Sequence, residues 1–269
     1  MIILWTDALI YILIAIVTLL FFSLRGKQHF VRPWKKISHN RTAMVALVFL
    51  VFFLVIGLLD SIHFRPTNSQ NNDIISVLDY WVNPIRLKQE KSYSAPFSAN
   101  LYSKELIMNS GQAPYWGYPR LEYGGRHLSD VQAQKAGDIL AKATLGFLKG
   151  IAVIFILFYA YHLLWQRTFF SNKAVNTIFA TLFFLVSSSY MLLELTTYYH
   201  VMGTDKVGED VFYQTIKSIR TGLVIGSLTT LIMLPLAIVF GILAGFFRGW
   251  VDDIIQYIYT TLNSIPGVL

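Results

Sequence analysis

The sequence predicts an all-α polytopic membrane protein: five complete transmembrane helices, a truncated sixth, and an extracytoplasmic segment between helices two and three. Three observations lead there. The 269 residues are 55% hydrophobic and only 14% charged, whereas a soluble domain is about one-quarter charged. Several apolar runs approach the roughly 20 residues that cross a 30 Å hydrocarbon layer at about 1.5 Å per residue. A polar stretch of 85 residues, 60–144, interrupts them.

The complete runs are Ile2 to Leu24, Thr42 to Leu59, Leu145 to Trp165, Ala174 to Thr196 and Thr221 to Phe247. A further run, Asp253 to Leu269, contains Gln256, Asn263 and Ser264, and the sequence stops inside it. The expectation is a fragment of a longer chain. The first run has no basic leader, carries Asp7 near its start, and is followed by Arg25 and Lys27. That charge order reads as an uncleaved anchor with an extracytoplasmic N-terminus, not a signal peptide.

Charge placement sets the remaining topology. The net charge of +7 on a soluble chain would point to nucleic acid; in a membrane chain it reports orientation. Arg25, Lys27, Arg32, Lys35, Lys36 and Arg41 fill the next linker with no acid, and Arg167 and Lys173 do the same in the turn Gln166 to Lys173. Both are expected to be cytoplasmic. The 60–144 stretch, with nine basic and eight acidic residues, is expected outside by alternation. Its Asn68–Asp73 cluster reads as a loop, and Asn83-Pro84, Ala113-Pro114 and Tyr123-Gly124-Gly125 read as turns. Ser129-Asp130-Val131-Gln132 reads as a capping box opening a helix that continues into the third span. Tyr80, Trp81, Tyr93, Phe97, Tyr115, Trp116 and Tyr118 are expected to pack the core of a small cap; the alternative is contact with the membrane surface or a docked binding protein.

Between the fourth and fifth spans lies His200-Val-Met-Gly203-Thr204-Asp205-Lys-Val-Gly208-Glu209-Asp210-Val211. Gly203 and Gly208 permit a tight reversal, and Asp205 or Asp210 can cap the next helix. Val211 to Arg220 reads as a short interfacial helix leading into the membrane. On these grounds alone the segment is a structural turn. Its wording adds more. Gly-Thr-Asp-x-x-Gly-x-Asp-Val, then Leu243-Ala-Gly-Phe-Phe-Arg-Gly-Trp-Val-Asp252, then Asn263-Ser-Ile-Pro266-Gly-Val-Leu269 resembles the permease subunits of dipeptide, oligopeptide and nickel ABC importers, motif by motif and in order.

The resemblance covers about a quarter of the chain. It implies that the turn is structural and extracytoplasmic, that the chain is an inner-membrane permease subunit, and that four partners exist: a second permease, two cytoplasmic ATPases and an extracytoplasmic binding protein. ATP and Mg would sit on the ATPases, so no cofactor is expected here. Two departures stand out: Glu209 replaces a common Arg, and four spans with a large outside segment precede the motif, as in microcin-type peptide permeases. The family's ATPase-docking Glu-Ala-Ala…Gly loop would lie past Leu269.

Pro235 and Pro266 mark helix kinks, read as static rather than as hinges. Gly146/Gly150, Gly222/Gly226 and Gly241/Gly245 are small pairs at helical spacing, suited to close helix packing. Asp7, Lys149 and Glu194 sit near span ends, where solvated or snorkelling side chains are expected. His29, His39, His63, His127, His162 and His200 show no ligand spacing, so no metal site is expected. With no cysteine, no phosphate loop and no nucleophile–base–acid set, the chain is not read as an enzyme.

The organisation expected is therefore 1–59, two helices with a basic linker; 60–144, the extracytoplasmic segment; 145–196, helices three and four; and 197–269, the start of the permease core. The function expected is peptide import by alternating access. The alternative is a membrane-anchored assembly or receptor protein whose outside loop is the working part.

Overall fold

The computed structural model describes residues 4–25, 27–66, 74–108, 113–165 and 173–264. The Asn68–Asp73 cluster, all but the last residue of the Gln166–Lys173 turn, and Pro266 lie outside these residues. Helices dominate: α1 (Trp5–Leu24), α2 (Gln28–His39), α3 (Arg41–Ser61), α4 (Val77–Trp81), α5 (Asn83–Arg86), α6 (Val131–Trp165), α7 (Lys173–Tyr198), α8 (Val211–Phe247) and α9 (Trp250–Asn263). Five of them, α1, α3, α6, α7 and α8, are long and apolar enough to cross a membrane. Two small antiparallel ladders join them: β1 (His63–Phe64) with β2 (Ile75–Ser76), and β3 (Glu105–Ile107) with β4 (Tyr115–Gly117).

Local chemistry explains the boundaries. Asn40 opens α3 by accepting hydrogen bonds from the Thr42 and Ala43 N–H groups at 3.0 and 3.4 Å, which satisfies two otherwise orphaned donors. Ser76 and Asp79 form a reciprocal capping box at α4, each side chain accepting from the other's N–H at 3.0 Å. At α6 the cap is Asp130, whose carboxylate accepts from Ala133 N–H at 3.3 Å. The cap expected at Ser129 thus falls one residue later and is a single aspartate cap, because an ionised carboxylate at the helix start also gains from the helix dipole. Asn83-Pro84 opens α5 rather than a turn, since proline's fixed φ suits a first helical turn.

The expected continuation of α6 into the third span holds: its 35 residues extend about 52 Å at 1.5 Å per residue. The separate interfacial helix expected at Val211–Arg220 does not form. Helix α8 runs unbroken for 37 residues, through Pro235; missing one amide donor is tolerated in apolar helices whose other backbone groups stay paired. The basic linker after α1, whose sequence marked only its charge and side, is largely helical. It contains α2, an amphipathic helix that packs against α3 and α7.

Two compact units make up the chain, Met1–Arg220 and Thr221–Leu269. In the first, α6 and α7 form the main helix pair. A Cβ on Gly146 would lie 2.7 Å from Glu194 Cβ, and one on Gly150 would lie 2.6 Å from Ser187 Cα. This small-residue pair is what lets the two backbones meet. The buried core of this unit's capped end joins Leu78, Val82 and Ile85 of α4–α5 to Phe212. The exposed aromatics contradict the expected aromatic core: Trp81 and Trp116 are 75% and 71% exposed, and Tyr80, Tyr93, Tyr115 and Tyr118 are exposed as well. Aliphatic side chains, Leu101, Leu121 and Leu128 among them, fill the interior instead. In the second unit Gly222, Gly226, Gly241 and Gly245 have no neighbour within 4 Å of a notional Cβ.

Candidate functional site

The turn between α7 and α8 is built around backbone that only glycine can supply. Gly203 and Gly208 have φ of +77° and +83°, the left-handed region. Any Cβ there would also collide: at Gly203 with the Ser94 carbonyl oxygen at 2.2 Å, and at Gly208 with the Glu90 carbonyl oxygen at 1.8 Å. The 60–144 segment therefore lies directly on the turn. Glu90 N–H donates to Gly208 O at 2.9 Å and Phe97 N–H to His200 O at 2.9 Å. Thr204 is buried, its hydroxyl 2.7 Å from the Ser92 carbonyl and 3.0 Å from Ser94 Oγ.

The two aspartates divide the capping work. Asp210 Oδ1 accepts from Phe212 N–H at 2.8 Å and Tyr213 N–H at 3.3 Å, so Asp210 caps α8. Asp205 closes its own loop: Oδ1 accepts from Val207 and Glu209 N–H, both at 2.9 Å, and Oδ2 from Gln214 Nε2 at 2.8 Å. The Gln214 contact and these N–H groups hold the Asp205 carboxyl below the usual carboxylate range, against a small effect of burial. Glu209, the departure from the resembled pattern, is exposed and accepts from the same Gln214 amide at 3.0 Å.

Behind the turn lies a charged triad. His200, fully buried, places Nδ1 2.7 Å from Asp210 Oδ2 and Nε2 3.4 Å from Glu90 Oε1. Burial disfavours the imidazolium, but the two carboxylates outweigh it, and the His200 pKa is raised. With a carboxylate at each ring nitrogen, the doubly protonated ring satisfies both. Glu90 is likewise penalised by burial, yet His200 and the N–H groups of Glu122 and Tyr123, at 3.0 and 2.8 Å, hold its pKa below the ordinary value. Nearby, Lys88 donates to the Thr196 carbonyl at 2.8 Å and to that of Thr197, meeting orphaned carbonyls at the end of α7. Burial lowers its pKa to about 8, partly opposed by the Asp210 charge.

A second ionic cluster ties α1, α3, α4 and the start of α8 together. Asp7, fully buried, meets Arg220 at 2.5 Å and His63 at 2.9 Å. Lys217 lies 2.6 Å from Asp60 and 3.0 Å from Asp79. Ser76 Oγ donates to Asp60 and Tyr213 OH to Asp79, both at 2.8 Å. The solvated Asp7 expected from sequence is thus replaced by a buried pair, because Arg220, 213 residues away, comes to it. Because Asp7, in the first turn of α1, meets His63 and Tyr11 OH donates to Ser61 O at 2.9 Å, the start of α1 and the end of α3 share one side. Lys149 and Glu194 pair with each other at 2.7 Å rather than standing alone in solvent.

Of the residues singled out in the sequence, Gly203, Thr204, Asp205, Gly208 and Asp210 converge on one turn, Pro235 lies inside α8 away from it, and Pro266 is outside the described residues. Glu90, His200, Lys88, Ser94 and the Lys217–Arg220 pair were not singled out as site residues. For the cations a signal existed: they fall one helical turn apart just ahead of an apolar run. For Glu90 no local signal existed. Among the described residues, no group of three or more His, Asp or Glu side chains is arranged to hold a metal ion.

Five apolar helices long enough to cross a membrane, the last of them entered through a glycine-locked turn, give the described residues the make-up of a multi-pass membrane protein. No family model matches the chain, and no solved structure matches it. Curated proteins do. It is 34% identical over 70 residues to the glutathione transport system permease protein GsiD of Pectobacterium atrosepticum, covering 26% of this chain and 23% of that one. It is 26% identical over 119 residues to the oligopeptide transport system permease protein OppC of Mycobacterium tuberculosis, covering 38% and 41%. A third relative is the dipeptide transport system permease protein DppC of Bacillus subtilis, 34% identical over 70 residues, covering 26% and 22%. The matched stretches span less than half of each relative's length. Over that part, the chain is related to ABC-type peptide transport permeases, which are transport subunits and not enzymes.

Proposed function

We propose that this chain is a permease subunit of an ABC importer for peptides, resident in the inner membrane with its N-terminus and 60–144 segment outside. The observation that carries the reading is the turn: Gly203, Thr204, Asp205, Gly208 and Asp210 form a rigid, capped junction at the head of α8, in a chain related to peptide permeases. A helix that must tilt or rotate between two states needs a fixed end to move against.

In this reading the chain does no chemistry. Helix α8 lines part of a path shared with a second permease, and the open glycine faces at Gly222/Gly226 and Gly241/Gly245 accept helices of that subunit. Two cytoplasmic ATPases hold ATP and Mg and drive the alternation, while a binding protein delivers substrate from outside. The 197–269 stretch is the transport core, with 1–59, 60–144 and 145–196 as its preceding membrane and outer segments.

The test is reconstitution with the neighbouring permease, ATPase and binding-protein subunits in liposomes. Binding protein plus peptide should stimulate ATP hydrolysis, and Gly208→Ala should abolish the stimulation. No stimulation by any peptide mixture would overturn the peptide assignment. A second reading, a membrane-anchored receptor, draws on the exposed Trp81, Tyr102 and Trp116; it gains if the purified chain captures a ligand while no ATPase associates with it.

A further inference from the structure

A groove of about 650 Å³ opens between α3 and α7 at their N-terminal ends. Two facing stripes wall it, each stepping by four residues: Arg41, Val45 and Phe49 on α3, and Asn176, Ala180 and Phe184 on α7. Residues four apart share a helix face. Both stripes begin polar and end aromatic, so the groove changes from polar to apolar over about 12 Å, eight residues at 1.5 Å each.

From this arrangement we infer that the groove binds an anionic glycerophospholipid whose headgroup carries hydroxyl donors, of the phosphatidylglycerol type. Three features select that chemistry. First, the Arg41 side chain is exposed and makes no ion pair with any described residue, leaving its guanidinium for a phosphate. The N-terminal ends of both helices add positive potential at the same place. Second, Asn176 Oδ1 is buried and accepts no hydrogen bond among the described residues. Buried acceptors are rarely left so, and a glycerol hydroxyl supplies the donor that a choline headgroup lacks. Third, the wall beyond them is apolar except for Thr181, whose hydroxyl is turned back to the Thr177 carbonyl at 2.8 Å, and it offers Val45, Phe49, Ala180 and Phe184 to the start of an acyl chain. Helix α2, which packs against both α3 and α7, adds Arg32, Lys35 and Lys36 with no acid nearby in sequence, a charge pattern complementary to an anionic leaflet. The inference does not depend on the transport reading.

Native mass spectrometry of the purified chain in mixed micelles tests it. Phosphatidylglycerol should be retained at one per chain where phosphatidylcholine is not. Removing one surface cation weakens such binding by about 1 kcal/mol, so Arg41→Gln should cut retention about five-fold. Ala180→Trp fills the apolar part of the groove from an exposed position, leaves Arg41 in place, and should abolish retention; it decides the matter if Arg41→Gln also lowers the melting temperature. Equal retention of both lipids, or retention unaffected by either substitution, overturns the assignment. So does saturation by glycerol phosphate alone, which would make the groove a site for a soluble phosphate.

Discussion

Arg220 NH2 and Asp7 Oδ1, 213 residues apart, meet at 2.5 Å with the Asp7 side chain wholly buried. Breaking such a pair from one side strands a charge, which costs about 3–5 kcal/mol in a buried site. Asp7→Ala should therefore lower the melting temperature in detergent sharply, while Asp7→Ala combined with Arg220→Met should recover much of the loss. A double-substitution cycle with no coupling between the two positions would show that the pair is incidental.

The His200 triad sets a pH window. A histidine with a raised pKa contributes stability in full below its unfolded value of about 6.5, and that contribution is lost as pH rises through the folded value. Glu90, with a lowered pKa, contributes above the ordinary glutamate value, and this is lost as pH falls through its folded value. Stability should thus decline on the alkaline side through His200 and on the acid side through Glu90. Melting temperatures across pH should show both limbs in the parent, and His200→Gln should remove the alkaline one.

Gly208→Ala should be far worse than Gly241→Ala. The first residue has φ +83° and a Cβ position 1.8 Å from the Glu90 oxygen, whereas the second has nothing within 4 Å. Strain at such φ alone costs of order 1–3 kcal/mol, and the collision adds to it. Limited proteolysis of the 60–144 segment reads the difference: cleavage should rise in Gly208→Ala and stay at parental levels in Gly241→Ala.

Orientation follows from single-cysteine labelling on a cysteine-free background. Ser103→Cys should react with an impermeant thiol reagent added outside intact cells, and Lys36→Cys only after permeabilisation. Both positions are exposed. The opposite pattern would invert the proposed topology.

What the sequence made legible divides along range of interaction. The five spans were readable because apolar length is a local property, and α3 or α7 could be bounded to within a few residues. The run of α6 from Val131 was readable from helical spacing. What could not be read was pairing: that Glu90 would sit under Gly208, or that Asp7 would leave solvent for Arg220, is decided by contacts across 118 and 213 residues, with no periodicity to reveal them. The aromatic residues misled for a related reason. Composition places Trp81 and Trp116 in the segment, but the small aliphatic core around Leu121 had already filled the interior, leaving them outside.

The lock between Glu90 and His200 also has a timetable. Their separation is 110 residues, which at about 5–20 residues per second of synthesis is a delay on the order of 5–20 seconds. During that interval Glu90 and Lys88 have been translated, but neither the histidine nor the helix end that will neutralise them yet exists. In the proposed topology the 60–144 segment is translocated first and stays unfinished while α6 and α7 are inserted. It is therefore during birth, more than in the mature protein, that this segment is open to proteases and chaperones of the compartment it faces.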